Sequence, residues 1–248
     1  MSSTGRSSVL STTNLDTPDF RWVSLRKILW QQDPKGNSRV WECAFRNTRK
    51  SECDGVAVIV FVSYPVSKKE DEILLISQYR PPVASEVIES PAGLVDAGED
   101  AKEAAERELL EETGFSGKVT SVSPIVPCDP GMTDANMRFV TIEVNGDSEE
   151  NQNPKARPED GEFITLRRLP ATSMQEGLDE FANAGFQVDA RLYAMAVGYT
   201  LGRRAAAAGG GSCPWRWLER AAASPLAVGV VVATTLTAVV VGARRGRS

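Results

Sequence analysis

Residues 93–115 read GLVDAGEDAKEAAERELLEETGF, and the rest of the chain is interpreted around this stretch. Its fixed points are Gly93, Glu99, the run Arg107-Glu108-Leu109, the pair Glu111-Glu112, and Gly114-Phe115. Asp100 can cap a helix and Gly114 can end it, so the spacing predicts one short helix running to Thr113. Glu108 and Glu112 are four residues apart and project from one face of that helix, with Glu111 beside them. Carboxylates held this close repel one another unless a hard divalent cation lies between them. The competing interpretation is a solvated helix rich in Glu and Ala, braced by the i,i+4 series Glu103, Arg107 and Glu111. Nine fixed positions with a glycine at each end favour the catalytic interpretation.

Composition narrows the chemistry. The chain has no histidine. Ser-His-Asp and Cys-His mechanisms and the usual zinc sites are therefore excluded. A metal would be held by oxygen ligands, which favours Mg²⁺ or Mn²⁺. The cysteines, Cys43, Cys53, Cys128 and Cys213, form no Cys-x-x-Cys pair and suggest reduced thiols in a cytosol-like compartment. The formal net charge is −5, unevenly spread: from Leu201 onward there are seven arginines and one acid, Glu219. The body is therefore acidic, which argues against a nucleic-acid partner.

Residues 1–19 are rich in Ser and Thr, lack an apolar run and are expected to be disordered. Residues 20–55 are expected to form a small N-terminal β unit. Within it Trp22–Leu25 and Lys27–Trp30 lead through the turn signal Asp33-Pro34-Lys35-Gly36 to a strand over Ser38–Arg46. Residues 56–201 form the main α/β domain. Strands are expected at Val56–Tyr64, Ile73–Gln78, Ser85–Ile88, Val119–Val126, Arg138–Val144 and Phe163–Leu166. A long loop is expected over Asn145–Gly161. Helices follow at Leu178–Phe181 and Val188–Leu201, the second capped by Asp189. Strands with helices on both faces give an α/β/α sandwich on a mixed sheet.

The box at 93–115 fills every fixed position of the Nudix motif, and residues 20–200 resemble the animal ADP-sugar pyrophosphatases (ADP-ribose diphosphatases) of that family. The stretches carrying the resemblance are Trp22-Val23, Arg39-Val40-Trp41-Glu42, Asp54-Gly55-Val56-Ala57-Val58, Gln78-Tyr79-Arg80-Pro81-Pro82, Glu89-Ser90-Pro91-Ala92-Gly93-Leu94 and Asp160-Gly161-Glu162-Phe163. Pro130, fifteen positions after Phe115, is typical of the ADP-ribose group. The resemblance implies metal-dependent hydrolysis of ADP-ribose or a related ADP-sugar to AMP and a sugar phosphate. It implies that Glu108, Glu112 and the Ala92 carbonyl hold Mg²⁺ or Mn²⁺, with Glu111 or Glu89 in support. Arg107 would orient the carboxylates, and Glu162 would act as general base. It also implies a homodimer in which Trp22 and Trp41 sandwich the adenine, one from each subunit. Arg46 and Arg80 would contact the diphosphate or terminal ribose, and Leu94 would line the substrate site.

After Gly202 the composition shifts to an Ala- and Gly-rich linker over residues 202–224. Residues 225–243 form an uncharged stretch at the lower limit for a transmembrane span, followed by a basic tail at 244–248. A tail anchor in an intracellular membrane is expected, the mitochondrial outer membrane being favoured, with the catalytic domain facing the cytosol. A protein in the cytosol or nucleus is the expectation if the segment does not insert. Two further functions stay open: a Nudix hydrolase of another nucleoside diphosphate derivative such as 8-oxo-dGDP, and a catalytically silent, membrane-tethered ADP-ribose binder.

Overall fold

The computed structural model describes residues 8–14, 21–32, 36–158 and 161–207. It divides into two compact units, Met1–Ala194 and Met195–Ser248. In the second unit the described residues are the C-terminal part of one helix.

The first unit opens with an antiparallel sheet of β1 (Ser8–Asn14), β2 (Val23–Gln31) and β3 (Arg39–Arg46), in that order. The segments Trp22–Leu25 and Lys27–Trp30 thus join into one strand. While the rest of residues 1–19 lies outside the described residues, β1 corrects the expectation of disorder over Ser8–Asn14. Its Ser and Thr residues carry no apolar signal, yet they pair from Asn14 against Arg26 to Ser8 against Gln31, an edge that sequence alone does not announce.

The main sheet contains β4 (Gly55–Ser63), β5 (Glu72–Arg80), β6 (Ser85–Glu89), β7 (Ala92–Leu94), β8 (Lys118–Val122), β9 (Val126–Pro127), β10 (Asn136–Asn145), β11 (Thr165–Pro170) and β12 (Gln187–Val188). The order β12-β6-β5-β4-β10-β8 is extended by β11 on β5, β7 on β4 and β9 on β10. β10 runs parallel to β4, and β12 parallel to β6, while the other pairs are antiparallel, so the sheet is mixed. α1 (Ala101–Thr113) lies on one face. Its Ala104, Ala105 and Leu109 pack with Val56, Val58, Val60 and Val62 of β4, and with Val140, Ile142 and Val144 of β10. Buried Ala57 and half-buried Ile59 and Phe61 occupy the opposite face, so β4 is apolar on both faces and reads as a continuous run. α2 (Met174–Asn183) packs beside β11 and β12, and α3 spans Ala190–Ala207. The result is an α/β/α arrangement of the expected class.

Several boundaries differ from the sequence expectation. The strand expected over Val119–Val126 splits into β8 and β9, because Pro124 cannot donate to a ladder. The strand expected at Phe163–Leu166 starts at Thr165 and continues through Arg167 and Arg168, while Phe163 is 86% exposed. Arg167 instead bonds Ser77 Oγ at 3.1 Å, a partner invisible from local pattern. Within the loop over Asn145–Gly161, Glu149–Asn151 forms a 3-10 turn, and buried Asn151 pins it to Ser116 through both backbone groups. Gly202–Ala207, expected as linker, continues α3. Among the described residues no helix is long and apolar enough to cross a membrane. The expected span at 225–243, the rest of the linker and the tail at 244–248 lie outside the described residues.

Candidate active site

The box is assembled by a strand and a helix pressed together. β7 pairs with the start of β4, placing Gly93 opposite Val56 and Ala92 opposite Ala57. α1 is fixed by a capping box. Asp100 Oδ1 accepts the Lys102 and Glu103 N–H groups at 2.7 and 3.0 Å, and Glu103 Oε2 accepts the Asp100 N–H at 2.9 Å. Glu103 is therefore engaged by the cap, and not by the series through Arg107 that the competing interpretation invokes. Gly114 ends the helix at φ +76°. The Ala92 N–H donates to Glu112 Oε2 at 3.0 Å. A side chain at Gly93 would overlap the Glu108 carboxylate, so the first glycine of the box is required by close approach.

Arg107 uses all five of its donors. Nε and Nη2 fork onto Glu99 at 2.9 and 3.0 Å. Nη1 meets Glu108 Oε1 at 2.8 Å and Glu111 Oε2 at 3.0 Å, and Nη2 also reaches the Leu94 carbonyl at 2.9 Å. The Glu99 fork, partly offset by burial, holds the guanidinium far above its ordinary pKa. Arg107 thus ties Glu99, Glu108 and Glu111 together. Glu111 touches Arg107 and does not line the cleft that Glu108, Glu112 and Glu162 share.

That cleft encloses about 650 Å³. Burial pushes the Glu112 carboxyl up to about 8, and the charges of Glu108 and Glu162 add to the shift against the Ala92 N–H and Arg80. Burial also raises Glu108, with Arg107 opposing. Such carboxylates ionise readily only beside a positive charge, so the donor set fits a hard cation. Among the described residues no three Asp, Glu or Cys side chains form a complete metal cage.

Arg46, Arg80, Ala92 and Leu94 also line the cleft. Arg80 Nε pairs with Glu89 at 3.0 and 3.2 Å across the β5–β6 hairpin. Burial raises Glu89 despite that pair. Trp22 and Trp41 are not brought to the cleft within one chain: they are 60% and 48% exposed on the N-terminal sheet. Trp41 Nε1 donates to the Gly131 carbonyl at 2.9 Å, and its ring meets Trp30 edge-on at 6.4 Å. The sequence expectations omitted Lys50, Asp54, Asn136 and Arg191 from the cleft wall. Lys50 pairs with Asp96 at 2.7 Å, and Arg191 forks onto Asp189. Asp189 was legible as a cap, and it does accept the Arg191 and Leu192 N–H groups. Its second role, fixing a cleft arginine, carries no motif.

Comparison with known proteins follows the same lines. A model of the NUDIX domain matches residues 55–189. An ADP-ribose pyrophosphatase of Saccharomyces cerevisiae is 43% identical over 190 residues, covering 76% of this chain and 81% of its own length. An ADP-sugar pyrophosphatase of Mus musculus is 38% identical over 179 residues, covering 71% of this chain and 81% of its own. A crystal structure of an ADP compounds hydrolase superposes with a TM-score of 0.55 at 21% identity, covering 85% of this chain and 99% of that one, and supports the fold alone.

Proposed function

The chain belongs to the NUDIX domain family, and on that premise we propose that it hydrolyses ADP-ribose and related ADP-sugars to AMP and a sugar phosphate. The observation that carries this reading is the convergence of Glu108, Glu112 and Glu162 on one cleft whose wall includes Arg46 and Arg80. An acidic site suits a cation, and guanidinium forks suit phosphate oxygens, so together they fit a metal-complexed diphosphate.

Glu108, Glu112 and the Ala92 carbonyl would hold Mg²⁺, or Mn²⁺, whose charge would neutralise the diphosphate and acidify an attacking water. Arg107 keeps Glu108 and Glu111 in place, so no carboxylate must reorganise as charge develops. As the water attacks phosphorus in line, the bridging P–O bond breaks, the displaced phosphate ester leaves, and the proton of the water goes to Glu162. Its neighbour Gly161, at φ +93°, gives the backbone freedom to present that carboxylate. Arg46 and Arg80 contact the diphosphate or terminal ribose, and Leu94 borders them.

Trp22 and Trp41 stack the adenine, one from each subunit of a homodimer. Their exposure, with that of Leu25 and Val40 on the same small sheet, supports an apolar surface that a second copy covers. The uncharged run at 225–243 supports tail anchoring with the catalytic unit facing the cytosol. Carbonate extraction of cells expressing the full chain tests that attachment: Val232→Arg should release the protein, and wild-type protein in the soluble fraction would refute it.

The substrate is tested by product analysis on a panel of ADP-ribose, ADP-glucose and 8-oxo-dGDP at one enzyme concentration with Mg²⁺. AMP and ribose 5-phosphate in equal amounts, with ADP-ribose the fastest substrate, is the expected result. Preference for 8-oxo-dGDP would reassign the substrate.

A further inference from the structure

Arg49 lies between β3 and β4 and joins three segments of the chain. Its Nε and Nη2 fork onto Asp54 Oδ1 and Oδ2 at 3.0 and 2.8 Å. Nη2 also meets Asp134 Oδ2 at 3.1 Å and the Asp134 carbonyl at 2.7 Å. Asp134 Oδ1 in turn accepts the Arg46 N–H at 3.3 Å. On the other side, Asp54 Oδ2 accepts the Asn136 N–H, and the Asp54 N–H donates to Asn136 Oδ1, both at 2.9 Å. The end of β3, the start of β4 and the start of β10 are thereby tied through one guanidinium. Ala44 adds backbone bonds to the same segment, donating to the Met132 carbonyl at 2.9 Å and accepting the Asp134 N–H at 3.3 Å.

The Asp54 side chain is only 4% exposed. Burial opposes its ionisation, but the Arg49 and Asn136 hydrogen bonds hold it below the usual carboxylate range. A buried ion pair of this kind gives little net stability over apolar packing, and its better-attested use is to specify one arrangement. What it specifies here is adjacent to substrate. Arg46, Asp54 and Asn136 border the cleft, and Arg49 bonds Asp54 without lining it.

We propose that Arg49, Asp54 and Asp134 are positioning residues that set Arg46 at the rim of the substrate cleft. The inference rests on the reading above that Arg46 binds the diphosphate or terminal ribose. Arg49 acts through Arg46, whose contact with the diphosphate or terminal ribose is made in the bound substrate and kept in the transition state. Its loss therefore weakens ground state and transition state alike and appears in KM rather than kcat.

The test is a double-mutant cycle on the full chain with ADP-ribose. Arg49→Lys keeps the charge but cannot hold two carboxylates in a planar fork. It should raise KM about tenfold and leave kcat within about twofold. Arg46→Ala should itself raise KM, and Arg49→Lys added to it should contribute less than about a further twofold, because the residue it positions is gone. Asp134→Asn should follow the same pattern and serves if Arg49→Lys does not fold. Equal factors in both backgrounds would show that Arg49 acts on the fold at large, and the positioning role would be overturned. Unchanged KM in Arg46→Ala would overturn the substrate role of Arg46 and the relay with it.

Discussion

The box helix and the N-terminal sheet solve opposite problems. Around α1 the polar groups are matched within the chain: Arg107 spends five donors on Glu99, Glu108, Glu111 and the Leu94 carbonyl, and the capping box closes the helix start. The N-terminal sheet exposes Trp22, Leu25, Val40 and Trp41. In and just after it, the buried atoms Ser24 Oγ, Arg26 Nε, Trp30 Nε1 and Thr48 Oγ1 have no hydrogen-bond partner in the described chain. Chemistry demands carboxylates that do not move, so their supports are local and redundant. Stacking on a flat base would ask instead for aromatic surface, and Trp22 and Trp41 stay exposed on the small sheet.

If this division of labour holds, variants on the two sides should differ in kind. The largest effect is expected from Glu112→Gln, which neutralises a cation ligand and should lower kcat at least about a hundredfold. Near-normal turnover at saturating Mg²⁺ would remove Glu112 from the site. Gly93→Ala probes the same side sterically. The added methyl displaces the Glu108 carboxylate, and kcat should fall by about tenfold or more while circular dichroism shows an intact fold. An unperturbed kcat would mean that the Glu108 position is not critical.

On the other side, Trp22→Ala and Trp41→Ala should mainly raise KM. Stacking is worth about 1–3 kcal/mol per base and acts on ground state and transition state alike. A fall in kcat with KM unmoved would break the comparison. The smallest effect is expected at the helix start. Asp100→Ala removes the cap and should lower the midpoint of denaturant titration slightly, with kcat and KM unchanged at room temperature. A loss of activity comparable to Glu112→Gln would show that α1 is held less redundantly than its bonds indicate.

The same contrast explains what sequence could reveal. The box was legible because its supports lie within a few residues of one another: Asp100 with Glu103, Arg107 with Glu111, and Gly114 at the helix end. Glu99 is only eight positions from the Arg107 it grips. Legibility failed where partners are distant. Arg49 pairs with Asp134 across 85 positions, and Asp54 exchanges two bonds with Asn136 across 82. Nothing in the local pattern of either end announces such a pair. The β1 strand was missed for a related reason: Ser and Thr become a strand there by pairing with β2, an interaction that their own side chains do not signal. Pro124, within the run over Val119–Val126, is a local signal for the break between β8 and β9, because its ring nitrogen cannot donate to a ladder.

The central claim is that the box performs chemistry on an ADP-sugar that other residues bind. It is tested most directly by measuring ADP-ribose cleavage and ADP-ribose binding together, with Mg²⁺, on wild type and on the double variant Glu108→Gln/Glu112→Gln. Wild type should release AMP and ribose 5-phosphate one to one. The double variant should release neither above the uncatalysed rate, while isothermal titration still finds ADP-ribose bound with a Kd within about tenfold of the wild-type KM. Turnover by the double variant, or binding without cleavage by the wild type, would contradict the account.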